Sequence, residues 1–508
     1  MAVLLVLIKK TIFLYTRNKY LVYYIYMTTK LLQFVNEKQS MPEKRITKKR
    51  LKDFKEIYKQ FDEKEAKKQA SRCSQCGIPF CQVHCPVQNN IPDWLKLAAE
   101  NRLKEAYEVS QSTNNFPEIC GSICPQDRLC EGNCVIEKGF ESVTIGRVEK
   151  HITDTAWEKG WVKPANPPIE NNKSIGIIGA GPAGMAAAEQ LRKKGYQIEI
   201  YDRYDRAGGL MIYGIPNFKL EKYVVERRTQ ILKKSGIVFH QNFEVGKTKS
   251  FDHLRKKHNA ILIATGVYKA RDLDIPGVKL PNVFSALDFL ITSNRKGLGD
   301  DVPNFDNGKL NAEKKNVVVV GGGDTAMDCV RTAVRQGAIR VICLYRRNKE
   351  NMPGSRREVS HAEEEGVEFN WLSTPVNIFG NKQVETIEVA KVKLGKPDTS
   401  GRDTPKILVN GISKLKVNMV IKALGFDPEP LPKLFNYPLL KVTQWGTIKV
   451  DHKTMMTSEP GIFAAGDIVR GGSLVVWAIK DGRDAAESIN NYLSNNASEE
   501  NLKQSVSV

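Results

Sequence analysis

The chain has 508 residues, 41% hydrophobic and 26% charged, a composition that fits about three globular domains with a large core and excludes a disordered or fibrous chain. Its formal charge of +20 comes mainly from dispersed lysines, with a local excess between Lys44 and Lys68. That excess lacks the interleaved aromatics of a base-stacking surface, so nucleic-acid binding is not expected.

Residues 1–26 are apolar and aromatic, but Lys9, Lys10, Arg17 and Lys19 interrupt them before the roughly 20 residues a membrane helix needs. No positive charge precedes the apolar run and no small-residue cleavage site follows it, so it does not read as a signal peptide. Met27 and Met41 are alternative starts. The expectation is an N-terminal extension over 1–41, its first 26 residues outside the fold, on a cytoplasmic protein with no membrane association.

Eight of the ten cysteines fall between Cys73 and Cys134 in two groups, Cys73, Cys76, Cys81 and Cys85, then Cys120, Cys124, Cys130 and Cys134. Disulfides fit poorly, because no export signal is present and nucleotide-binding domains of cytosolic type follow. Zinc is an alternative, since paired thiolates at short spacing suit tetrahedral coordination. Iron-sulfur clusters account for more. Three close cysteines and a fourth beside Pro86 follow the bacterial ferredoxin arrangement, in which the fourth ligand serves the other cluster. Between the groups, Pro92-Asp93-Trp94 begins a helix with Leu95, Ala98, Leu103 and Ala106 on one apolar face. Together these predict a small helical iron-sulfur domain over 42–165. Cys329 and Cys343 read as core.

Ile175 to Gly184 is a buried strand running into Gly179, Gly181 and Gly184 and then an alanine-rich helix, Met185 to Lys194. The first glycine permits the tight turn, the second lets backbone amides approach a pyrophosphate, and the third lets helix and strand pack closely. The phosphates would sit on the helix N-terminus, where free N–H groups and the dipole favour negative charge. Ala183 lies in that first turn. A second strand, Gln197 to Tyr201, ends in Asp202, placed to meet a ribose hydroxyl. Gly208, Gly209 and Leu210 would bring backbone amides against a flavin. Strand Ile261–Ala264 and the turn Thr265-Gly266 would let the same ligand approach, and Arg271–Pro276 links to the next unit.

The device recurs. Strand Asn316–Val320 leads into Gly321-Gly322-Gly323-Asp324-Thr325 and a helical run to Gln336. Here the second strand, Arg340–Tyr345, ends in Arg346-Arg347, where the first copy has its acid. Two arginines there would pair with a 2′-phosphate, which a carboxylate would repel. The first copy is therefore assigned to FAD and the second to NADPH, whose phosphates offset part of the positive charge. The NADPH domain is expected over 312–425, interrupting an FAD domain of 173–311 and 426–493, with a tail over 494–508. Strand Ile462–Ala465 would set Gly466 and Asp467 against the ribityl chain. A helix through Ala478 would aim its N-terminal amides at the flavin N1–C2=O edge, favouring the negative charge of the reduced ring.

Assembled in this way, the chain resembles the small (beta) subunits of bacterial NADPH-dependent glutamate synthases from about Leu51 to Leu493. The likeness rests on both glycine loops and on longer stretches. These are Ala70 to Cys81, Gly208 to Lys219, Tyr345 to Gly354, Ala465-Gly466-Asp467 and Ala478 to Arg483. The resemblance implies an α/β, adrenodoxin-reductase-like fold, with two Rossmann-like domains, the NADPH domain inserted in the FAD domain, preceded by a helical domain with two [4Fe-4S] clusters. It also implies cluster ligands. One set would be Cys73, Cys76, Cys81 and Cys134, the other Cys85, Cys124 and Cys130 with Glu149, which stands where related pyrimidine dehydrogenases have a glutamine. Cys120 is the alternative to Glu149.

The expected chemistry is hydride transfer from NADPH to FAD, then single-electron steps through the clusters, with no side chain needed as acid or base. The chain has neither the nucleophile that glutamine hydrolysis needs nor a further flavin site. A large (alpha) subunit with glutaminase and FMN sites is therefore implied, the pair converting glutamine, 2-oxoglutarate and NADPH to two glutamates. Two rival readings are a related NADPH oxidoreductase module feeding a pyrimidine reductase or ferredoxin, and a non-enzymatic zinc scaffold.

Overall fold

A computed structural model of the chain describes residues 5–8, 11–14, 31–398 and 401–506. It divides into two units, Met1–Glu43 with Lys59–Val162, and Lys44–Tyr58 with Lys163–Val508. Most of the segment expected outside the fold, residues 1–26, lies outside the described residues; within it, Leu5–Ile8 pairs antiparallel with Thr11–Leu14. Residues 31–41, by contrast, are anchored by hydrogen bonds, although none of them is buried. Gln69 holds them by accepting from Ser40 N at 3.1 Å and donating to Lys38 O at 3.1 Å, and the buried Arg72 donates from Nε to Glu37 O at 2.9 Å.

The first unit is helical. Its main helices are α1 (Glu63–Ser71), α2 (Ile91–Ala99), α3 (Leu103–Thr113), α4 (Pro117–Ile123) and α5 (Ile145–Glu158). Asp62 caps α1 by accepting from Glu65 N. The expected single helix from Pro92 through Ala106 is in fact α2 and α3. Asn101 takes φ 64° between them, with Asn101 N bonded to Ala98 O and Arg102 N to Leu97 O. That is a Schellman stop at a residue that tolerates the left-handed region. Gly121 lets α4 approach α5, since a Cβ there would lie 2.6 Å from Gly146 O.

In the second unit the chain makes β1 (Ser174–Ile178), α6 (Pro182–Lys193), β2 (Gln197–Tyr201), α7 (Lys222–Lys234), β3 (Val238–His240) and β4 (Ala260–Ile263). It continues through β5 (Val283–Ser285), α8 (Ala286–Gly297), β6 (Asn316–Val320), α9 (Asp324–Arg335), β7 (Arg340–Tyr345), α10 (Arg356–Glu364) and β8 (Glu368–Trp371). Three antiparallel strands follow, β9 (Ser373–Phe379), β10 (Thr386–Pro397) and β11 (Asp403–Lys416). Then come β12 (Met419–Lys422), β13 (Ile462–Ala464) and α11 (Val475–Val506).

Two five-stranded parallel sheets result, in the orders β13-β4-β1-β2-β3 and β8-β7-β6-β12-β5. All strands of the second lie in sequence between β4 and β13 of the first, so one doubly wound half is inserted in the other. The two crossings pair with each other, Lys269–Ala270 against Phe426–Asp427. The inserted half starts earlier than the expected residue 312. β5 forms its edge, and Ala286, Phe289, Leu290, Leu310 and Ala312 share a core with Val317 and Val319. The boundary expected from the glycine loop missed an edge strand that precedes its own signal. Among the described residues no helix is long and apolar enough to cross a membrane.

Residues 44–58, expected in the helical domain, belong to the second unit. Arg50 is buried there, its Nη2 2.7 Å from Glu364 Oε2, and Tyr58 Oη lies 2.9 Å from His361 Nε2. Beside them Glu365 accepts paired hydrogen bonds of 2.6–3.0 Å from the buried guanidinium groups of Arg331 and Arg335. Removing one member of such a cluster strands the others without solvent. Glu365→Ala is therefore expected to cost about 3–5 kcal/mol, seen as a lowered urea midpoint. A midpoint equal to that of wild type would count against the cluster as a stabilising element.

Candidate functional site

The first glycine loop and the returning strand face one cleft of about 1100 Å³, partly open to solvent. Of the residues expected there, Gly179, Gly181, Ala183, Asp202, Gly209, Leu210, Ala264, Thr265, Gly266, Gly466, Asp467 and Ala478 line it. β1, β2, β4 and β13 deliver these from positions far apart in sequence, because parallel strands end on the same edge of their sheet. Gly179 takes φ +111°, and a Cβ on it would fall 2.3 Å from Ala264 O, whereas in front of Gly181 there is open space. The loop is thus tight against the sheet and bare toward the cleft, as a phosphate-binding turn requires.

A Cβ on Gly184 would lie 2.0 Å from Gly179 O, the close packing expected of the third glycine, and one on Gly208 would meet Ile212 and Val225, so Gly208 too serves packing behind the cleft and does not line it. The helix expected through Ala478 is α11, which begins at Val475 after a short helical turn, Asp467–Arg470, that follows Gly466.

Asp202 braces the loop. Its Oδ2 accepts from Ala180 N at 2.6 Å and its Oδ1 from Tyr204 N at 2.8 Å, while burial pushes its pKa up. Burial also raises the Asp467 carboxyl to about 7. Thr265 Oγ1 is buried in the cleft wall with no hydrogen-bond partner, a hydroxyl awaiting a polar ligand. The sequence reading missed Arg203, Tyr204, Tyr268 and Glu429, which also line the cleft. Arg203 pairs with Glu429 at 2.9 Å and lies 4.7 Å over the Tyr268 ring. Tyr204 follows Asp202 closely and Tyr268 follows Gly266, so proximity to the motifs was the available signal.

The second loop repeats the construction. Gly321 has φ +143°, with Ala423 O 2.2 Å from a hypothetical Cβ, and Gly323 again faces open space. Asp324 Oδ1 accepts from Ser355 N at 2.9 Å, tying the start of α9, with Thr325 next to it, to the start of α10. The arginine pair separates. Arg346 is exposed, whereas Arg347 is buried, with Nε donating to Asp403 O at 2.8 Å. Arg347 therefore anchors β11, and Arg346 is the arginine open to a ligand.

In the helical unit, Cys73, Cys76, Cys81 and Cys134 line one small pocket, with Pro79, Pro92, Leu95 and Ile145 around them. Cys85, Cys124 and Cys130 form a second neighbourhood, each within electrostatic reach of Glu149, with Cys120 beside Cys85 and Cys124. Glu149 Oε1 accepts from Asn89 at 3.1 Å and from Asn114 at 3.3 Å, and Cys120 Sγ points to Asn114 Oδ1 at 3.7 Å. All ten cysteines are free thiols. Burial pushes Cys81 and Cys85 up to about 12 and Glu149 up to about 8, so these groups carry protons until a cation displaces them. Among the described residues no three His, Cys, Asp or Glu groups converge on one ion position. Four thiols spaced around a cavity fit a cluster of several atoms better than one zinc about 2.3 Å from each sulfur.

Residues 50–161 match the family described as dihydropyrimidine dehydrogenase domain II, 4Fe-4S cluster, and residues 173–482 match pyridine nucleotide-disulphide oxidoreductase. The glutamate synthase [NADPH] small chain of Azospirillum brasilense is 62% identical over 464 residues, 91% of this chain and 96% of that one. The chain belongs to the glutamate synthase [NADPH] small chain family. The Escherichia coli K12 member is 44% identical over 92% of this chain and 100% of its own. The structure of Mycobacterium tuberculosis FprA in complex with NADPH aligns with a TM-score of 0.56 at 21% identity, over 65% of this chain and 86% of that one. At that identity the likeness shows a fold alone; the family matches give an iron-sulfur domain followed by an oxidoreductase domain.

The raised carboxyl of Asp467 has a consequence for stability. A carboxyl that holds its proton more tightly when folded stabilises fully below its ordinary value near 3.8, and that contribution is lost as pH rises through about 7. For flavin-free protein, the urea midpoint is expected to fall between pH 4 and 7, with a shallower slope in Asp467→Asn. Parallel slopes for the two proteins would contradict this.

Proposed function

We propose that this chain is the electron-input subunit of a glutamate synthase. It binds NADPH at the second glycine loop and FAD in the cleft at the first. It passes electrons through two [4Fe-4S] clusters to a large subunit with glutaminase and FMN sites. The pair converts glutamine, 2-oxoglutarate and NADPH to two glutamates. The observation that carries the reading is the single cleft that gathers a phosphate-binding turn, an unpartnered Thr265 hydroxyl and the buried Asp467 from three separate stretches of chain. When bound, FAD and the clusters supply hydride acceptance and one-electron transfer, and the protein supplies geometry and charge.

The residues have distinct duties. Gly181 leaves room for the pyrophosphate, and Asp202 keeps the loop in shape and faces a ribose. Asp467 and the start of α11 lie where the ribityl chain and flavin ring would meet backbone amides. Cys73, Cys76, Cys81 and Cys134 hold one cluster, and Cys85, Cys124 and Cys130 with Glu149 the other. Cys120 remains the alternative to Glu149, since both are tied to Asn114. Free-thiol ligation and NADPH use suit the cytoplasm.

Anaerobically prepared protein is expected to contain FAD, iron and sulfide, to bleach on NADPH addition and to copurify with a glutaminase-bearing chain. Protein that holds flavin but no iron, or that NADPH leaves coloured, would refute the reading. Arg346→Ala removes one charge-assisted contact to a 2′-phosphate, worth about 1.5–3 kcal/mol. KM for NADPH should therefore rise roughly 10- to 100-fold with KM for NADH unchanged. Equal changes for both nucleotides would remove Arg346 from this role.

A further inference from the structure

Residues 208–219 run from the flavin cleft to the helix of the second glycine loop. At one end Gly209, Leu210 and Met211 line the cleft. At the other, the buried Phe218 ring lies 4.5 Å from the Arg331 guanidinium and 3.9 Å from that of Arg335, both on α9. Next to it Lys219 Nζ is 2.8 Å from Asp328 Oδ1 and 3.8 Å from Glu358 Oε2. Asp328 stands one turn into α9, whose first turn carries Asp324 and Thr325. From the side, Asn217 Nδ2 donates to Phe54 O at 2.8 Å, holding the 44–58 strap over the same junction.

Other ion pairs join the two halves, such as Arg206 to Asp300 and Arg295 to Asp205. Their arginine side chains are 30% exposed, and pairs in contact with water contribute little. The Lys219 and Asp328 side chains are 11% and 9% exposed. Withdrawing the ammonium from this site would leave Asp328 beside Glu358 without its cation, so the loop cannot turn away from α9 cheaply. One rigid connection therefore runs from the wall of the flavin cleft to the helix whose N-terminus holds the other dinucleotide.

Resting on the assignment of the two clefts above, we infer that Lys219 is a positioning residue for hydride transfer: its pairing with Asp328 fixes the nicotinamide-binding half against the flavin cleft. Hydride transfer needs the reacting atoms about 3–3.5 Å apart, and a displacement of about 1 Å can cost on the order of 100-fold. Lys219 does not line the flavin cleft and its ammonium is engaged by Asp328 and Glu358, so its loss should act on the rate of the step and leave both cofactors bound.

The test is stopped-flow reduction of the full chain by NADPH, comparing wild type, Lys219→Met and Lys219→Arg. Lys219→Met should keep FAD and iron content and bind NADPH with a Kd within about threefold of wild type. Its bleaching at saturating NADPH should slow on the order of 10- to 100-fold, and Lys219→Arg should recover most of the rate. Photoreduced Lys219→Met should pass electrons to ferricyanide as wild type does, since its flavin site is intact. In flavin-free protein, amide hydrogen exchange over residues 215–222 should accelerate in Lys219→Met alone. Wild-type bleaching in Lys219→Met, a loss wholly in NADPH affinity, or unchanged exchange would overturn the inference. If Lys219→Met loses FAD, Lys219→Met with Asp328→Asn, which strands no charge, replaces it. Loss of FAD from that protein too would make Lys219 a folding determinant and also overturn the inference. Failure of wild type itself to bleach would sink the function proposed above, a result separable from all of these.

Discussion

The second unit is organised by a close backbone contact made twice. In each half the turn after the first strand presses against the carbonyl at the end of a neighbouring strand, Gly179 on Ala264 and Gly321 on Ala423. A side chain at either glycine would push the turn off the sheet and tilt the helix that follows. With the contact made, helix N-termini and strand ends point to the same edge, where a parallel sheet collects ligand groups from distant parts of the chain.

Around that contact the two halves differ at the end of the second strand. In the first, the acid at the strand end is used internally, its oxygens closing the turn through Ala180 N and Tyr204 N. In the second, the corresponding position gives an exposed arginine and, beside it, a buried one that secures the antiparallel strands. One arginine can meet a 2′-phosphate while the other maintains the sheet behind it. Two charges that look equivalent in sequence thus have different surroundings, one exposed just past the end of β7 and the other buried against Asp403.

The helical unit manages charge in the opposite way. Burial raises the thiols of Cys81, Cys85 and Cys130, so folding the chain does not require these thiolates to crowd together. Cysteines that are distant in sequence, Cys73 and Cys134 above all, meet because α1, α2 and α5 bring both ends of the segment to one cavity.

The sequence alone determined what local chemistry can encode. Both glycine loops, their strands, the cysteine spacing and the contrast between Asp202 and Arg346-Arg347 were all legible, because each depends on residues within a few positions. Tertiary structure decided the rest. It moved Gly208 behind the cleft and split the arginine pair. It began the inserted half at Val283 instead of residue 312, and it assigned residues 44–58 to the nucleotide-binding unit. An edge strand of three residues and a strap without periodicity carry no local signal, because what fixes them is burial against partners hundreds of positions away. The partners that fix Arg50 and Tyr58, Glu364 and His361, lie 314 and 303 positions along the chain.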